Sequence, residues 1–237
     1  MSNTANRCIL VTGASKGIGA ACTQQLLDAG HLVVGLSRHA GIERHGLTQV
    51  EIDLTDIEQI AGVVNKLLQH HSIDGLICNA GRGDIGSLEN FSSKQIQASL
   101  QLNLISPLVL ARHCLPTLRQ QQRSDIIFIG SESALQGGRF GCLYSAAKFG
   151  LRGAAQSLRN ECAGANCHVG IVQPGMVRTD FFQTLEFEPG DAAANALQAS
   201  DVATAAMSMM NAPDNAVIDE IVLNPRQRVV QRKKLQQ

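Results

Sequence analysis

The sequence predicts an α/β protein in which helices cover both faces of a mainly parallel sheet. Short apolar runs alternate with longer amphipathic stretches along all 237 residues. Repeated strand–helix–strand units of this kind form parallel sheets with right-handed crossovers. The apolar runs are continuous rather than alternating, which indicates that both faces of the sheet are buried. Hydrophobic residues make up 44% of the chain and charged residues 17%, so a substantial core is expected.

The elements follow one another without a linker or repeat, so a single domain covering residues 1–237 is predicted. Strands are expected at residues 7–11, 31–36, 48–53, 73–78, 125–129, 168–172 and 217–223. Helices are expected at residues 17–29, 56–70, 92–119 and 143–163, with a last one near Ser200 and an interruption of the third near Pro107. Ligands of such sheets bind beyond the carboxyl ends of the strands, so residues at those ends are the candidates for function.

Composition argues against several classes of function. The formal net charge is zero, without the basic excess typical of nucleic-acid binding. No apolar run approaches the roughly 18 residues needed to span a bilayer, and the polar start of the chain does not resemble a secretory signal. The seven cysteines include no C-x-x-C pair and are expected to be reduced and buried, as in a cytoplasmic protein. The histidines have no metal-site spacing, so no metal is predicted.

A glycine-rich turn follows the first predicted strand and leads into the first helix. Gly13, Gly17 and Gly19 would let the backbone approach a pyrophosphate, and the helix N-terminus would supply N–H groups. The same turn also contains Ser15, Lys16 and Ile18. A plain strand–helix loop is the alternative, but this context favours a dinucleotide site.

The end of the second predicted strand bears on the choice between NAD and NADP. An NAD site usually places an acid there to accept from the ribose hydroxyl, whereas this chain has Ser37 and Arg38. Together with Lys16, Arg38 offers positive charge that suits the 2′-phosphate of NADP. The alternative is that both are solvated surface charges.

Tyr144 and Lys148 are four residues apart and share one face of a predicted helix. A nearby ammonium favours tyrosinate and is expected to lower the pKa of the phenol from about 10, which would make Tyr144 an acid or base near neutral pH. It is the only tyrosine in the chain. Ser131, at the end of the fifth strand, is a candidate donor to a substrate carbonyl. Ser133 is a rival, and both are open to being ordinary loop serines.

Other strand ends carry weaker signals. Asp53 is a candidate either for contacting adenine or for capping the next helix. Asn79-Ala80-Gly81 is a turn of small residues with little specificity of its own. Pro107 cannot donate to the carbonyl of Asn103, which is therefore predicted to be free to hold a water, or else to mark a simple bend. Pro174-Gly175 predicts a rigid turn after the sixth strand.

Taken together, these elements resemble the classical short-chain dehydrogenase/reductase family over nearly the whole chain. The resemblance implies one Rossmann-type domain with sheet order 3-2-1-4-5-6-7, often in a homodimer or homotetramer. It implies that Tyr144 is the general acid/base, that Lys148 binds the nicotinamide ribose and lowers the pKa of the phenol, and that Ser131 polarises the carbonyl. It further implies that Asn103 holds a water that relays protons to Lys148.

The resemblance also implies a set of cofactor contacts beyond the glycine turn. These are Ser37, Arg38, Asp53, Leu54, Asn79, Ala80, Gly81, Tyr144, Lys148, Pro174, Gly175, Val177 and Thr179. The chain departs from the family pattern at Gly130, where a second serine is frequent, and at Glu132, which places a charge beside Ser131. Its ending also lacks the Asp-Gly-Gly frequent in ketoacyl-carrier-protein reductases.

The segment after the sixth strand is a candidate for the substrate side of the site. Phe181, Phe182 and Leu185 predict either an apolar lid or ordinary core packing. Arg82 and Arg139 lie on loops at the same edge, where surface exposure is the default and anchoring a carboxylate the alternative. The basic tail, residues 226–234, is predicted to be solvated rather than docked.

The predicted function is that of an NADP(H)-dependent oxidoreductase acting on a small carbonyl compound or secondary alcohol. The alternative from another class is a regulator or scaffold that binds the cofactor without catalysis, although such a protein would not need Ser131, Tyr144 and Lys148 together. An epimerase or dehydratase on the same scaffold is disfavoured. Such relatives tend to have a longer substrate-binding C-terminal part, whereas only about one helix and one strand follow Ser200 here.

Overall fold

The computed structural model describes residues 6–39, 41 and 43–233. Nine strands lie in this part of the chain: β1 (Cys8–Thr12), β2 (Leu32–Ser37), β3 (Leu47–Glu51), β4 (Ile73–Cys78), β5 (Ser124–Ile129), β6 (Cys167–Pro174), β7 (Phe187–Pro189), β8 (Glu220–Leu223) and β9 (Val230–Arg232). Seven of them form one sheet in the order β3-β2-β1-β4-β5-β6-β8, with every neighbouring pair parallel. The predicted fold and strand order are confirmed, with β8 as the predicted seventh strand.

Helices cover both faces of the sheet. They are α1 (Gly17–Asp28), α2 (Ile57–His70), α3 (Ser93–Leu100), α4 (Ser106–Leu118), α5 (Cys142–Glu161) and α6 (Ala199–Met210). Strand β1 shows how the two layers of core arise: Leu10 packs in the cluster that includes α2, α4 and α5, whereas Ile9 and Val11 pack with α1 and α6. Successive side chains of a strand point to opposite faces, so a continuous apolar run serves both layers.

The predicted helix at residues 92–119 is interrupted just before Pro107. Helix α3 ends at Leu100, a wider π-helical turn covers Gln101–Ile105, and α4 continues from Ser106. Within the turn the N–H of Ser106 donates to the carbonyl of Gln101. Proline supplies no N–H to the preceding turn, and one-turn π-bulges often accommodate such a local mismatch. The turn brings Asn103 to the carboxyl edge of the sheet.

The prediction of a solvated C-terminal tail is wrong for the described residues, which exclude Lys234. Strand β9 pairs antiparallel with β7 in a separate two-stranded sheet. The N–H of Gly190 donates to the carbonyl of Val229 at 3.0 Å, and the N–H of Lys233 donates to the carbonyl of Glu186 at 2.9 Å. These backbone bonds hold the tail, residues 226–233, against the segment that follows β6, because paired backbone offsets the entropy of ordering it.

Within the described residues, no helix is both long and apolar enough to cross a bilayer. The seven cysteines are unpaired, and six are buried as predicted, whereas Cys142 at the start of α5 is exposed.

Candidate active site

Tyr144 and Lys148 lie one helical turn apart on α5, and both are buried, with 7% and 4% of their surface exposed. The ammonium of Lys148 donates to the carbonyl of Ile129 at 2.9 Å. The same nitrogen lies 5.7 Å from the centre of the Tyr144 ring. Helix α5 is therefore tied to the end of β5 at the position where the phenol is presented.

Ser131 lies directly beyond β5 and begins a short 3₁₀ turn, Glu132–Ala134. Its hydroxyl oxygen accepts from the N–H of Ser133 at 3.1 Å, and its side chain lies near enough to Tyr144 to act on the pKa of the phenol. Since the oxygen already accepts a backbone bond, its own hydrogen is available for donation. The structure thus brings Ser131, Tyr144 and Lys148 together, while Ser133 turns toward a neighbouring cavity.

Burial governs the ionisation of both buried groups on α5. It raises the pKa of Tyr144 to about 12, to which the carboxylates of Asp84 and Glu132 add, while the hydrogen bond from Ser131 acts in the opposite direction. Burial also lowers the pKa of Lys148 to about 8. The expected pKa below the usual value of a phenol is not met in this structure, because lost hydration of the charged form is the largest cause of the shift. The phenol is consequently protonated at neutral pH.

Asn103 links the π-helical turn to the loop after β4. Its side-chain nitrogen donates to the carbonyls of Arg82 at 3.1 Å and Ser99 at 3.2 Å, and its oxygen accepts from the N–H of Arg82 at 3.1 Å. A Cβ at Gly81 would lie 2.7 Å from that oxygen and 3.8 Å from the nitrogen of Lys148. Asn103 and Gly81 therefore adjoin Lys148. The predicted role of the Asn103 carbonyl stays a prediction.

The glycine turn forms a concave backbone surface at the start of α1. Gly13 and Gly17 have positive φ angles of 67° and 58°, which favour glycine. A Cβ at Gly13 would lie 2.8 Å from the side-chain nitrogen of Asn79. That nitrogen donates to the carbonyl of Thr12 at 3.0 Å, and the N–H groups of Asn79 and Ala80 both donate to the Thr12 hydroxyl at 2.9 Å. Glycines let the backbone of this turn come close to a pyrophosphate, and the N-terminus of α1 offers it N–H groups.

Comparison with known proteins decides the family. A family model described as short chain dehydrogenase matches residues 7–189. The chain belongs to the short-chain dehydrogenase family. This is a family of oxidoreductases, and solved structures similar to this chain include complexes with NADP and with NADH.

Individual relatives agree with the assignment. The chain is 31% identical to a 3-ketodihydrosphingosine reductase of Bacteroides thetaiotaomicron over 174 residues, which are 73% of this chain and 65% of that protein. It is 30% identical to the 3-oxoacyl-acyl-carrier-protein reductase MabA of Mycobacterium bovis over 76% of this chain and 73% of that one. A metagenomic short-chain oxidoreductase solved with NADP is 28% identical, with a TM-score of 0.78 over 92% of this chain and 97% of that one.

The predicted ribose side of the site contains a further candidate residue that the sequence analysis did not name. Ser15 and Ser37 line a small cavity next to the glycine turn, and Arg44 lines it with them. Arg38 is exposed nearby, and its charge helps to lower the pKa of Asp53. Lys16 lies 3.9 Å from Asp180. In the sequence, ribose ligands were sought only at the end of β2. Arg44 lies further along the chain, and the structure brings it to this cavity.

Asp53 and Leu54 lie at the predicted adenine side. One oxygen of Asp53 accepts from the N–H of Thr55 at 2.9 Å and from its hydroxyl at 2.8 Å, and these bonds are the main cause of its lowered pKa. Asp56, not Asp53, caps helix α2. Leu54 is buried in the core.

The segment after β6 crosses above the glycine turn. The N–H of Gly175, which follows Pro174, donates to the carbonyl of Leu223 at 2.7 Å, and Val177 is buried. Thr179 lies 3.6 Å from the position that a Cβ on Gly17 would take. The structure therefore places Thr179 over the turn that would hold the cofactor phosphates.

The candidate aromatic lid consists of Phe181, Phe182 and Phe187, of which Phe181 lies beside the ring of Tyr144. The ring of Phe181 lies 5.7 Å from that of Tyr144 and 5.3 Å from that of Phe182, centre to centre. Phe182 in turn lies 5.9 Å from Phe187. Together with buried Leu185, these rings form a separate apolar cluster. The core-packing alternative is therefore met within this cluster, while a role of these rings as a lid over a substrate stays a prediction.

A cavity of about 490 Å³ opens beside Ser133. Glu132 and Arg228 line it and approach each other to 3.3 Å, so the charge beside Ser131 is partly balanced by the tail. Of the two loop arginines, Arg82 pairs with Asp84 at 2.8 Å, and Arg139 stacks over Phe140 at 4.7 Å.

Proposed function

We propose that this short-chain dehydrogenase is an NADP(H)-dependent oxidoreductase that interconverts a small carbonyl compound and a secondary alcohol. The observation that carries the proposal is a cluster of three buried groups, Tyr144, Ser131 beside it and Lys148 one helical turn further along α5. This cluster lies at the carboxyl edge of the sheet, where ligands of such folds bind.

The chain's own groups would hold the cofactor in an extended arrangement along that edge. The backbone of residues 13–19 would receive the pyrophosphate at the start of α1. Asp53 with Leu54, and Asn79 to Gly81, would flank the adenosine half. Lys148, with the residues from Pro174 to Thr179, would flank the nicotinamide half.

The reduced nicotinamide, when bound, supplies the hydride for the carbonyl carbon. Tyr144 donates its phenolic proton to the carbonyl oxygen, so that C=O becomes CH–OH. Ser131 donates a hydrogen bond to the same oxygen as negative charge develops there. The proton returns to Tyr144 by way of Lys148 and a water at the carbonyl of Asn103, the route that the family resemblance implies. Protonated at neutral pH, the phenol is in the form that can donate this proton to a carbonyl oxygen.

The preference for NADP rests on charge. Arg38 and Arg44 bring two guanidinium groups to the ribose corner, and no acid ends β2. A planar guanidinium pairs well with a phosphate. A relative that is 28% identical was solved with NADP, which supports the choice.

The test is Tyr144→Phe, assayed by NADPH absorbance with a panel of ketones and aldehydes. Loss of the proton donor is expected to reduce turnover of any active substrate by at least about hundredfold, while NADPH binding measured by fluorescence titration stays within about twofold. Retention of substantial turnover would remove Tyr144 from the reaction.

Two serine variants provide the matched comparison. Ser131→Ala is expected to lower kcat by at least about tenfold through loss of a donor to the carbonyl oxygen, and Ser133→Ala is expected to have a much smaller effect. The reverse order would assign the donor to Ser133. A wild-type protein that binds NADPH tightly yet reduces nothing across a broad panel would favour the non-catalytic alternative.

A further inference from the structure

Ser131 is held from beneath by a buried polar chain that the proposed reaction does not use. Gln173, fully buried on β6, accepts from the N–H of Ser131 through its side-chain oxygen at 2.7 Å. Its side-chain nitrogen donates to Glu220 on β8 at 2.9 Å. Glu220 also accepts two bonds from Arg152, at 2.8 and 2.9 Å. In this Arg152–Glu220–Gln173 chain, each side chain is hydrogen-bonded to the next.

The hydrogen bonds of the Arg152–Glu220–Gln173 chain determine which way the amide of Gln173 faces. A carboxylate that is ionised only accepts hydrogen bonds, so the nitrogen of Gln173 must face Glu220. The bidentate pair with Arg152 lowers the pKa of Glu220 and keeps it ionised. The oxygen of Gln173 is thereby left facing Ser131, whose backbone N–H requires an acceptor. The orientation at Ser131 is thus set by a salt bridge two strands away.

The amide of Gln173 fits beside Ser131 because the preceding residue, Gly130, has no side chain. A Cβ at Gly130 would clash with the side-chain oxygen of Gln173 and lie 2.8 Å from its Cδ. Glycine at position 130 and glutamine at position 173 are therefore complementary in size. The segment is also held by the bond from Lys148 to Ile129 at 2.9 Å.

The Arg152–Glu220–Gln173 chain begins on α5, the helix that also carries Tyr144 and Lys148. Arg152 lies on α5 four residues beyond Lys148 and eight beyond Tyr144, so all three lie along one side of the helix. Helix α5 presents the phenol directly and, through Arg152, also fixes the strand end that presents Ser131. Ser131 and Tyr144 are consequently both positioned by α5.

We propose that Gln173 is a positioning residue for Ser131, oriented by Glu220 and Arg152, and that this Arg152–Glu220–Gln173 chain sets the position of the Ser131 side chain relative to the phenol of Tyr144. The proposal rests on the proposed function only for its effect on turnover. The surroundings of the phenol can be followed without any substrate, because the protein contains a single tyrosine.

The test uses protein labelled with ¹³C at the Cζ carbon of tyrosine, which gives one NMR resonance. Gln173→Leu is expected to shift this resonance in the same direction as Ser131→Ala, and to add nothing when combined with Ser131→Ala. In a Ser133→Ala background, the matched control, Gln173→Leu is expected to produce its full shift. An unmoved resonance in Gln173→Leu, or equal shifts in the wild-type and Ser131→Ala backgrounds, would overturn the proposal even if no substrate were known.

Two further variants, Arg152→Met and Gly130→Ala, test the proposal by changing residues other than Gln173. Arg152→Met is expected to shift the resonance less than Gln173→Leu but in the same direction. Gly130→Ala is expected to shift it as well, and the shift is expected to shrink in the Gly130→Ala/Gln173→Ala double variant, where the clash is relieved. No shift in Arg152→Met would remove the salt bridge from the chain and contradict the proposal.

Once a substrate is in hand, turnover gives a second readout. Gln173→Leu is expected to lower kcat by about tenfold in the wild-type background and by less than twofold in the Ser131→Ala background, with the KM for NADPH unchanged. A general loss of structure would lower kcat equally in both. That result would contradict the assigned role.

Discussion

The phenol of Tyr144 is an acid because of where it lies. Burial and two nearby carboxylates raise its pKa to about 12, so at neutral pH it holds the proton that a carbonyl oxygen needs. Spacing alone suggested the opposite shift, since it revealed the ammonium but not the depth of burial. A four-residue spacing identifies a pair of side chains, whereas hydration depends on everything packed around them.

The buried ammonium of Lys148 predicts a specific dependence of stability on pH. Burial lowers its pKa from 10.5 to about 8, so between those values the unfolded chain binds more protons than the folded chain. The free energy of unfolding therefore rises with pH across this window. Between pH 7 and pH 9 we expect wild type to gain about 1 kcal/mol relative to Lys148→Met, measured by urea unfolding.

The matched control for that experiment is Lys66→Met, since Lys66 is exposed on α2. It should follow the wild-type pH profile. Parallel profiles for wild type and Lys148→Met over the same range would show that Lys148 titrates normally.

Arg38 carries the prediction about cofactor choice. Arg38→Asp replaces a cation with an anion at the ribose corner, so it should weaken NADPH binding and favour NADH. A charge-assisted bond contributes about 1.5–3 kcal/mol, so the NADPH-to-NADH ratio of kcat/KM should fall by at least about tenfold. Lys66→Asp makes the same charge change at an exposed position and should leave the ratio intact. An unchanged ratio in Arg38→Asp would count against the assignment of NADP.

Among the elements, the tail with β9 is the part that sequence patterning missed. A strand of three residues inside a basic segment gives no periodic signal, and its partner β7 is equally short. Lys233 adds side-chain bonds to the carbonyls of Phe182 and Gln183. The tail therefore holds the turn that carries the aromatic lid over Tyr144.

Removal of the tail is expected to loosen the lid. In a variant ending at Pro225, backbone amides of residues 182–191 should exchange with deuterium about tenfold faster or more, because their partners in β9 and Lys233 are gone. Exchange in β1, β4 and β5 should be unaffected. Unaltered exchange in residues 182–191 would show that the lid stands without the tail.

A smaller change separates the side chain of Lys233 from the strand. Lys233→Met should accelerate exchange near Phe182 while leaving β7 paired, and Lys94→Met, at an exposed position on α3, is its matched control. Equal exchange in the two variants would contradict a role for the Lys233 ammonium.

Over the whole molecule, the two edges of the sheet carry different groups. At the amino edge, Arg7 pairs with Asp74 at 2.9 Å and with the buried Asp125 at 2.7 Å. At the carboxyl edge lie the glycine turn and the catalytic candidates. The parallel sheet was predictable from the repeated strand–helix–strand units, and its strand order was implied by the resemblance to the family. The support beneath Ser131 was not predictable, since Gln173 and Glu220 are 47 residues apart in the chain.

The central claim is that one bound dinucleotide extends from the glycine turn to Tyr144 with its ribose phosphate at the arginine corner. A crystal structure of wild-type protein with NADPH tests it most directly. We expect the nicotinamide ring between Tyr144 and the segment from Pro174 to Thr179, with the 2′-phosphate beside Arg38 and Arg44. A dinucleotide bound elsewhere, or a nicotinamide ring out of reach of the Tyr144 hydroxyl, would contradict it.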